Sequence, residues 1–227
     1  MKKISLDARL GSVAELVRDG VTLADIGTDH AYLPIYLLSI GRIRAAVCSD
    51  INQGPLGRAE ENVSACGFSD KVRFCLCDGA RELEAFGACD YAICGMGGEL
   101  IRDIIEAAPY LKNSKYNLIL QPMSRASVLR EYLASAGFSV IKESYSECVG
   151  KRYVAILARY TGECSSLSTV NAEFGESLRR YFFDEHAKAY ADERLLALSR
   201  AAEGKRLGGE EDPPEARLYS EAKSIIE

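Results

Sequence analysis

Val21-Thr22-Leu23-Ala24-Asp25-Ile26-Gly27-Thr28-Asp29-His30-Ala31-Tyr32-Leu33-Pro34 opens as an apolar run, breaks at a glycine and resumes as a second apolar run. The first run has the length and content of a buried strand. Pro34 suits the first turn of a helix, where a missing N–H costs nothing. The stretch therefore reads as strand, turn and helix, with two acids and a histidine at the turn. Such a turn presents backbone N–H groups and a positive helix end to a ligand. About twenty residues on, Ala45-Ala46-Val47-Cys48-Ser49 reads as a second strand and runs into Asp50. A carboxylate there is where nucleotide-binding sheets meet a ribose.

Outward from this pair, the pattern repeats. Val72–Cys77 ends at Asp78-Gly79, Asp90–Cys94 ends at Gly95-Met96-Gly97-Gly98, and Leu118–Leu120 ends at Gln121-Pro122. Helical spacing fills the gaps near residues 31–40, 55–65, 99–107 and 125–136, and a leading helix covers 4–18. Ser139–Tyr145 and Tyr153–Tyr160 then follow with no helix between them. Antiparallel neighbours need no long crossover, so this pair forms a hairpin edge. The fold class is α/β: five βα units in an open sheet with an antiparallel edge.

Thr161–Val170 is a polar break, and it divides the chain into 1–165 and 166–227. Residues 171–206 read as helical, 208–214 as a turn, and 215–227 as a second helix. This helical hairpin has too few apolar residues to fold firmly alone, so it should lean on the sheet. Arg179, Arg180, Lys188, Arg194, Arg200, Lys205 and Arg206 lie along its first helix. They form either a phosphate-tracking stripe or an ordinary solvated face.

Of the chain's 28 basic and 33 acidic residues, 19 of each lie in 1–160, leaving 9 and 14 beyond. The large part is neutral and the tail carries the whole negative excess, so any nucleic-acid footprint must be local. Hydrophobic residues make up 48 %, enough for a core, and no apolar run could span a bilayer. Met1–Asp7 turns charged too soon for a signal peptide. Eight cysteines without a C-x-x-C fit buried free thiols in a reducing, cytoplasmic setting, with Cys89 and Cys94 in the core. Two histidines exclude a histidine-rich metal site, and no metal is expected. A monomer is expected.

The glycine pattern at the first turn is degraded. Gly27, Asp29 and Ala31 stand where a dinucleotide fold would carry three glycines, although Asp50 lies at the expected spacing. Asp29 would crowd a pyrophosphate with like charge, whereas a ligand with a cationic amine suits it. S-adenosylmethionine has an amino group, a sulfonium and no phosphate. Asp29 reads equally well, alone, as a helix N-cap. Asp50 could merely start a loop, and Asp78-Gly79 is an ordinary turn dipeptide. Their coincidence at successive strand ends favours a site. His30 is more often a packed neutral histidine than a base. At the fourth strand end, neither the Asp/Asn-Pro-Pro-aromatic tetrad of exocyclic-amine methylation nor a Pro-Cys pair is present. Gly95-Met96-Gly97-Gly98 leaves a small slot where a flat ring could approach closely.

Asp25-Ile26-Gly27-Thr28-Asp29-His30-Ala31-Tyr32-Leu33-Pro34, Gly95-Met96-Gly97-Gly98 and Gln121-Pro122 together resemble the TrmK family of bacterial tRNA (adenine-22-N1)-methyltransferases. The resemblance runs through Lys151-Arg152-Tyr153 and more loosely into Phe174-Gly175-Glu176-Ser177-Leu178, which is similar to the start of that family's helical coiled-coil domain. It departs at Met123, where an asparagine is expected. The resemblance implies a class I methyltransferase (Rossmann-like) sheet with a C-terminal helical domain, S-adenosylmethionine as cofactor and tRNA as substrate. It implies that Asp25, Gly27, Thr28, Asp29 and His30 line the methionine end of the cofactor. By the same likeness Asp50 and Ile51 serve the ribose side, and Asp78, Gly79, Gly95 and Met96 border the rest. Tyr32, Gly97, Gly98, Gln121 and Pro122 would frame the target base, with Asp29 nearest the chemistry. Two rivals stand beside this: a methyltransferase of the same fold acting on a small molecule, and a protein that binds the cofactor without turnover.

Overall fold

A computed structural model describes residues 4–227. The elements run α1 (Ala8–Ala14), β1 (Thr22–Ile26), α2 (Tyr32–Ser39), β2 (Ala45–Asp50), α3 (Gln53–Ala65), β3 (Val72–Leu76), β4 (Asp90–Gly97) and α4 (Gly98–Glu106). They continue with β5 (Asn117–Ser124), α5 (Ala126–Ser135), β6 (Phe138–Cys148), β7 (Lys151–Tyr160), α6 (Thr169–Phe174), α7 (Glu185–Leu207) and α8 (Pro214–Ile226). One sheet has the order β3-β2-β1-β4-β5-β7-β6. β1 to β5 are parallel, and the returning hairpin inserts β7 antiparallel between β5 and β6. β1 pairs with both β2 and β4, so the order of winding reverses between β1 and β4. That switch point opens a crevice beyond the strands' carboxyl ends.

Side-chain alternation assigns each strand residue to one of two cores. Ala24, Ile26, Tyr91, Ile93, Leu118 and Leu120 meet α4, α5 and the start of α7 through Ile101, Ile105, Leu129, Leu133 and Tyr190. Leu23, Ala46, Cys48, Ala92 and Ile119 meet α1, α2 and α3 through Val13, Leu33, Leu37, Ala59 and Val63. Burial on both faces explains why these strands read as continuous apolar runs.

The leading helix is shorter than the apolar spacing predicts. Asp7 starts it, its carboxylate accepting the Leu10 N–H at 2.7 Å. The first tail helix is broken in two, with turns from 175 to 184 between α6 and α7. Gly175 sits at φ +57°, and a Cβ there would lie 2.1 Å from Glu143 Oε2. Asp184 then caps α7, accepting the His186 and Ala187 N–H groups at 3.0 Å. α8 runs back along α7, with Ala222 packed among Ala191, Leu195 and Leu198.

Of the two readings of the tail cations, a single stripe along one continuous helix is not built, because that helix is broken. Arg179 and Arg180 lie in the broken segment, off the helix. Arg180 pairs with Asp184, Lys188 with Asp192 at 2.9 Å, Arg194 with Glu173 at 2.7 Å and Lys205 with Glu215 at 2.8 Å. Lys188–Asp192 is an ordinary i,i+4 helix pair, and Arg194 and Lys205 are paired across to α6 and α8. The cysteines also depart from expectation. Cys48, Cys66, Cys75 and Cys77 are buried, but Cys89, Cys94 and Cys148 are half-buried and Cys164 is exposed; none is in a disulfide.

The tail is fastened to the sheet by a buried charge pair. Arg130 of α5 and Glu143 of β6 are 2 % and 1 % exposed, with Nε donating to Oε1 at 2.7 Å. Arg130 Nη1 also donates to the carbonyls of Ala172 and Glu173 at 2.9 and 3.1 Å. The Tyr145 hydroxyl and the Glu176 N–H both donate to Glu143 Oε2. The pair thus sits between sheet and tail and is bonded from both sides.

Candidate active site

At the switch point, the β1–α2 turn is folded by its own residues. The Gly27 and Thr28 N–H groups both donate to the Ser49 carbonyl, at 2.8 and 2.9 Å. Thr28 Oγ1 accepts the Ala31 N–H at 3.2 Å. These three donors are therefore consumed within the protein and are not offered to a ligand. Gly27 has φ +74°, and a Cβ on it would fall 2.0 Å from Met96 Cε. The glycine is required by its left-handed backbone, and its lack of a Cβ lets the end of the Met96 side chain lie across it.

Two cavities meet at Gly27. The larger, about 400 Å³, is lined by Asp25, Gly27, Thr28, Asp29, His30, Tyr32 and Gly95, together with Asp7, Arg9, Leu10 and Cys94. The smaller, about 170 Å³, is lined by Gly27, Asp50, Ile51, Asp78, Gly79 and Met96, with Ser49, Leu100 and Ile104 behind them. So the eleven residues assigned by sequence to a cofactor are brought together, and Tyr32 stands with them. Gly97, Gly98 and Gln121 line neither cavity, and Pro122 lines a separate one at the end of β5.

The acids differ sharply in setting. Asp25 is 8 % exposed. Burial pushes its carboxyl up to about 6, only partly offset by a hydrogen bond with Thr28. Asp29 is half-exposed and is not a helix cap. It pairs with Arg58 of α3 and approaches His30 Nε2 at 3.2 Å. The hydrogen bond from Arg58 holds its carboxyl below the usual carboxylate range. A carboxylate so held stays anionic; it can orient a donor but is a poor proton acceptor. Asp50 Oδ1 accepts the Asn52 N–H at 2.7 Å, the turn-forming bond that starts α3. His30 stacks on Tyr32 with ring centres 5.0 Å apart.

Gln121 is fully buried and acts through its neighbours. Its Oε1 accepts from Arg9 Nη1 at 2.7 Å and from the Gly95 N–H at 3.1 Å, while Nε2 donates to the Pro122 carbonyl at 3.1 Å. It thereby fixes the end of β4 against α1. Gly98 lets β4 and β5 close at their ends: a Cβ there would sit 2.2 Å from the Arg125 carbonyl oxygen. Reading α1 by its apolar spacing alone overlooks Asp7 and Arg9. The signal available was a charged pair at the start of an otherwise apolar helix. Cys94 packs against the core and also lines the cavity, and burial with the nearby Asp25 charge raises its thiol, leaving it protonated.

A family model described as a methyltransferase domain matches residues 6–156. The chain belongs to this methyltransferase family. Within the family, it is 35 % identical over 158 residues to a tRNA (adenine(22)-N(1))-methyltransferase of Bacillus subtilis strain 168, covering 70 % of this chain and 66 % of that one. A second curated relative, from Mycoplasma genitalium, is 27 % identical over 140 residues, which is 60 % of this chain and 62 % of the relative. The chain spans less than two thirds of the length of the curated relatives it matches. Among solved structures, the B. subtilis m1A22 tRNA methyltransferase TrmK superposes with a TM-score of 0.81 at 26 % identity, covering 99 % and 100 % of the two chains. M. capricolum TrmK, solved with S-adenosyl-homocysteine, superposes at 0.72 and 27 % identity, covering 97 % and 94 %. This methyltransferase carries the family's sheet, and the likeness to those structures extends over nearly the full chain, its helical tail included.

Among the described residues no helix is long and apolar enough to cross a membrane, and no cluster of three or more His, Cys, Asp or Glu could hold a metal ion.

Proposed function

We propose that this methyltransferase transfers a methyl group from S-adenosylmethionine to N1 of adenine 22 in tRNA. The observation that carries this reading is the lining of the two joined cavities. Carboxylates stand at three successive strand ends, and the Gly27, Thr28 and Ala31 N–H donors of the first turn are already used. Such a lining fits a ligand that brings an amine and ribose hydroxyls but no phosphate. Asp25, Gly27, Thr28, Asp29 and His30 take the methionine end. Asp50 and Ile51 take the ribose, and Asp78, Gly79 and Met96 the adenine, with Leu100 and Ile104 supplying apolar surface. When bound, S-adenosylmethionine supplies a methyl group activated by a sulfonium.

The chain's own residues have little chemistry left to do. A ring nitrogen carries its own lone pair, so in-line placement is the main requirement. Tyr32 and Gly95 bound the approach of the base, which must leave its stack, and Gly97, Gly98 and Pro122 shape the strand ends behind it. Gln121 holds Gly95 in place, and Asp29, kept anionic by Arg58, orients the base without taking its proton. The protein works as a cytoplasmic monomer in this reading.

The test is incubation with bulk tRNA and labelled cofactor, followed by nucleoside mass spectrometry. The expected product is 1-methyladenosine; label on N6 would overturn the assignment of the strand-four slot. Replacing the ribose partner, Asp50→Ala, should weaken cofactor binding about ten-fold, since a hydrogen bond to a charged group is worth roughly 1.5–3 kcal/mol. Calorimetry finding unchanged affinity in the folded variant would remove Asp50 from the site.

A further inference from the structure

With most tail cations paired to neighbouring acids, the question is where this acidic protein can hold a polyanion. One place gathers arginines from three separate elements. A cavity of about 320 Å³ lies between the end of β5, the start of β7 and α7, and Arg125, Arg152 and Arg194 all line it, against Glu173 and Glu193. It adjoins the reaction crevice, because β5 runs beside β4 with Met96 opposite Pro122 and Gly97 opposite Ser124.

The three arginines are not equally engaged. Arg194 is neutralised: its Nε donates to Glu173 Oε1 at 2.7 Å, and its Nη2 lies 2.7 Å from the same oxygen. Arg152 donates from Nη1 to the Gly150 carbonyl at 3.0 Å, and it stands 3.4 Å from Glu147 and 3.6 Å from Glu193. Those separations exceed the 2.7–2.9 Å of a charge-assisted hydrogen bond. Its Nε is buried with no partner. The exposed Arg125 side chain has no ion-pair or hydrogen-bond partner among the described residues. Its backbone is held at φ +56°, a left-handed conformation unusual for an arginine. Strain of this kind persists only where the surroundings impose it. Here Gly98 packs directly under the Arg125 carbonyl.

We propose that this cavity holds a backbone phosphate of the RNA strand that carries the target base, with Arg125 and the Nε side of Arg152 as its donors. The proposal rests on the tRNA reading above and names where the strand is gripped. A free guanidinium and an unmatched buried N–H, one strand away from the acceptor slot, are what a phosphodiester would complete. Arg194 and Glu173 form a closed pair that shapes the wall.

The test uses the full chain and three variants: Arg125→Gly, Arg125→Lys and Arg152→Gln. Each is measured for S-adenosylmethionine affinity, thermal midpoint, tRNA affinity across a salt series, and affinity for labelled hexauridylate, which has phosphodiesters but no adenine. Arg125→Gly relieves the backbone strain, so its midpoint should hold or rise while tRNA affinity falls several-fold. Its salt slope should shrink by about one phosphate contact. Arg125→Lys should retain part of the affinity as a point charge, and cofactor affinity should be unchanged in all three. Arg152→Gln should weaken hexauridylate likewise. Unaltered tRNA affinity, hexauridylate affinity and salt slopes in Arg125→Gly and Arg152→Gln would overturn the proposal, even if the wild type makes 1-methyladenosine. If instead the wild type methylates no tRNA but binds hexauridylate through these arginines, the phosphate site stands and the tRNA reading falls.

Discussion

Glu143→Ala should destabilise the protein by about 3–5 kcal/mol, the cost of leaving one member of a buried ion pair without the other. Arg130 would keep its charge, because a guanidinium does not give up its proton in a protein, and at 2 % exposure that charge could not be solvated by water. Burial alone would depress the Arg130 pKa; the Glu143 carboxylate is the chief group opposing that, with Tyr190 and Tyr145 adding to it, and the variant removes the Glu143 part. The Tyr145 hydroxyl and the Glu176 N–H would lose their acceptor at the same time. Against a typical total stability of about 5–15 kcal/mol, the loss is large enough to read directly in a urea titration. The double variant Arg130→Met/Glu143→Leu should cost less than Glu143→Ala, since no unpaired charge remains. A single-variant loss below about 1 kcal/mol would mean that the pair is not closed in solution.

Asp25 should make both stability and cofactor affinity depend on pH, in opposite senses. Its folded value is about 6 against 3.8 for an ordinary aspartate. Below pH 3.8 both states hold the proton. Between 3.8 and 6 the unfolded chain releases it while the folded protein retains it, so stability is lost as pH rises through that window. A gap of about two pH units corresponds to roughly 3 kcal/mol. Asp25→Asn should recover most of that at pH 7 and little at pH 4, as read by denaturant midpoints. The cationic amine of S-adenosylmethionine favours the ionised carboxylate, so wild-type affinity should be about ten-fold weaker at pH 5 than at pH 7. In Asp25→Asn the affinity should be lower and flat over the same range. A wild-type profile that is equally flat would separate Asp25 from the amine.

The sheet was legible because both faces of β1, β2, β4 and β5 are buried, which makes each a plain apolar run punctuated at a glycine or an acid. The carboxylates at strand ends were legible for the same reason: they stand out where such a run stops. Asp7 and Arg9 were not, because they reach the crevice from a helix whose apolar residues dominate its pattern. The tail misled in a specific way. Its cations were visible, but the partners of Arg194 and Lys205 lie 21 and 10 positions away, on other helices, so only the folded chain shows them spent. Arg130 and Glu143 are hidden likewise: each looks like a surface residue until α6 is laid over them. Arg125 looked like an ordinary helix-start residue, and its left-handed backbone follows from packing against Gly98 that no local pattern encodes.

The fastening of the tail also sets an order of events during synthesis. Arg130 and Glu143 emerge from the ribosome well before Ala172, Glu173 and Glu176, which supply two acceptors and a donor to them. Until those residues arrive, the nascent sheet carries a charged pair that is only half-bonded, beside an apolar surface awaiting Ala187 and Tyr190. Chains elongate at about 5–20 residues per second, so the interval lasts seconds. During it the α5–β6 corner of the sheet lacks its tail partners. A ribosome-bound chain stalled before residue 172 should remain protease-sensitive across β6, and one released after α7 should not.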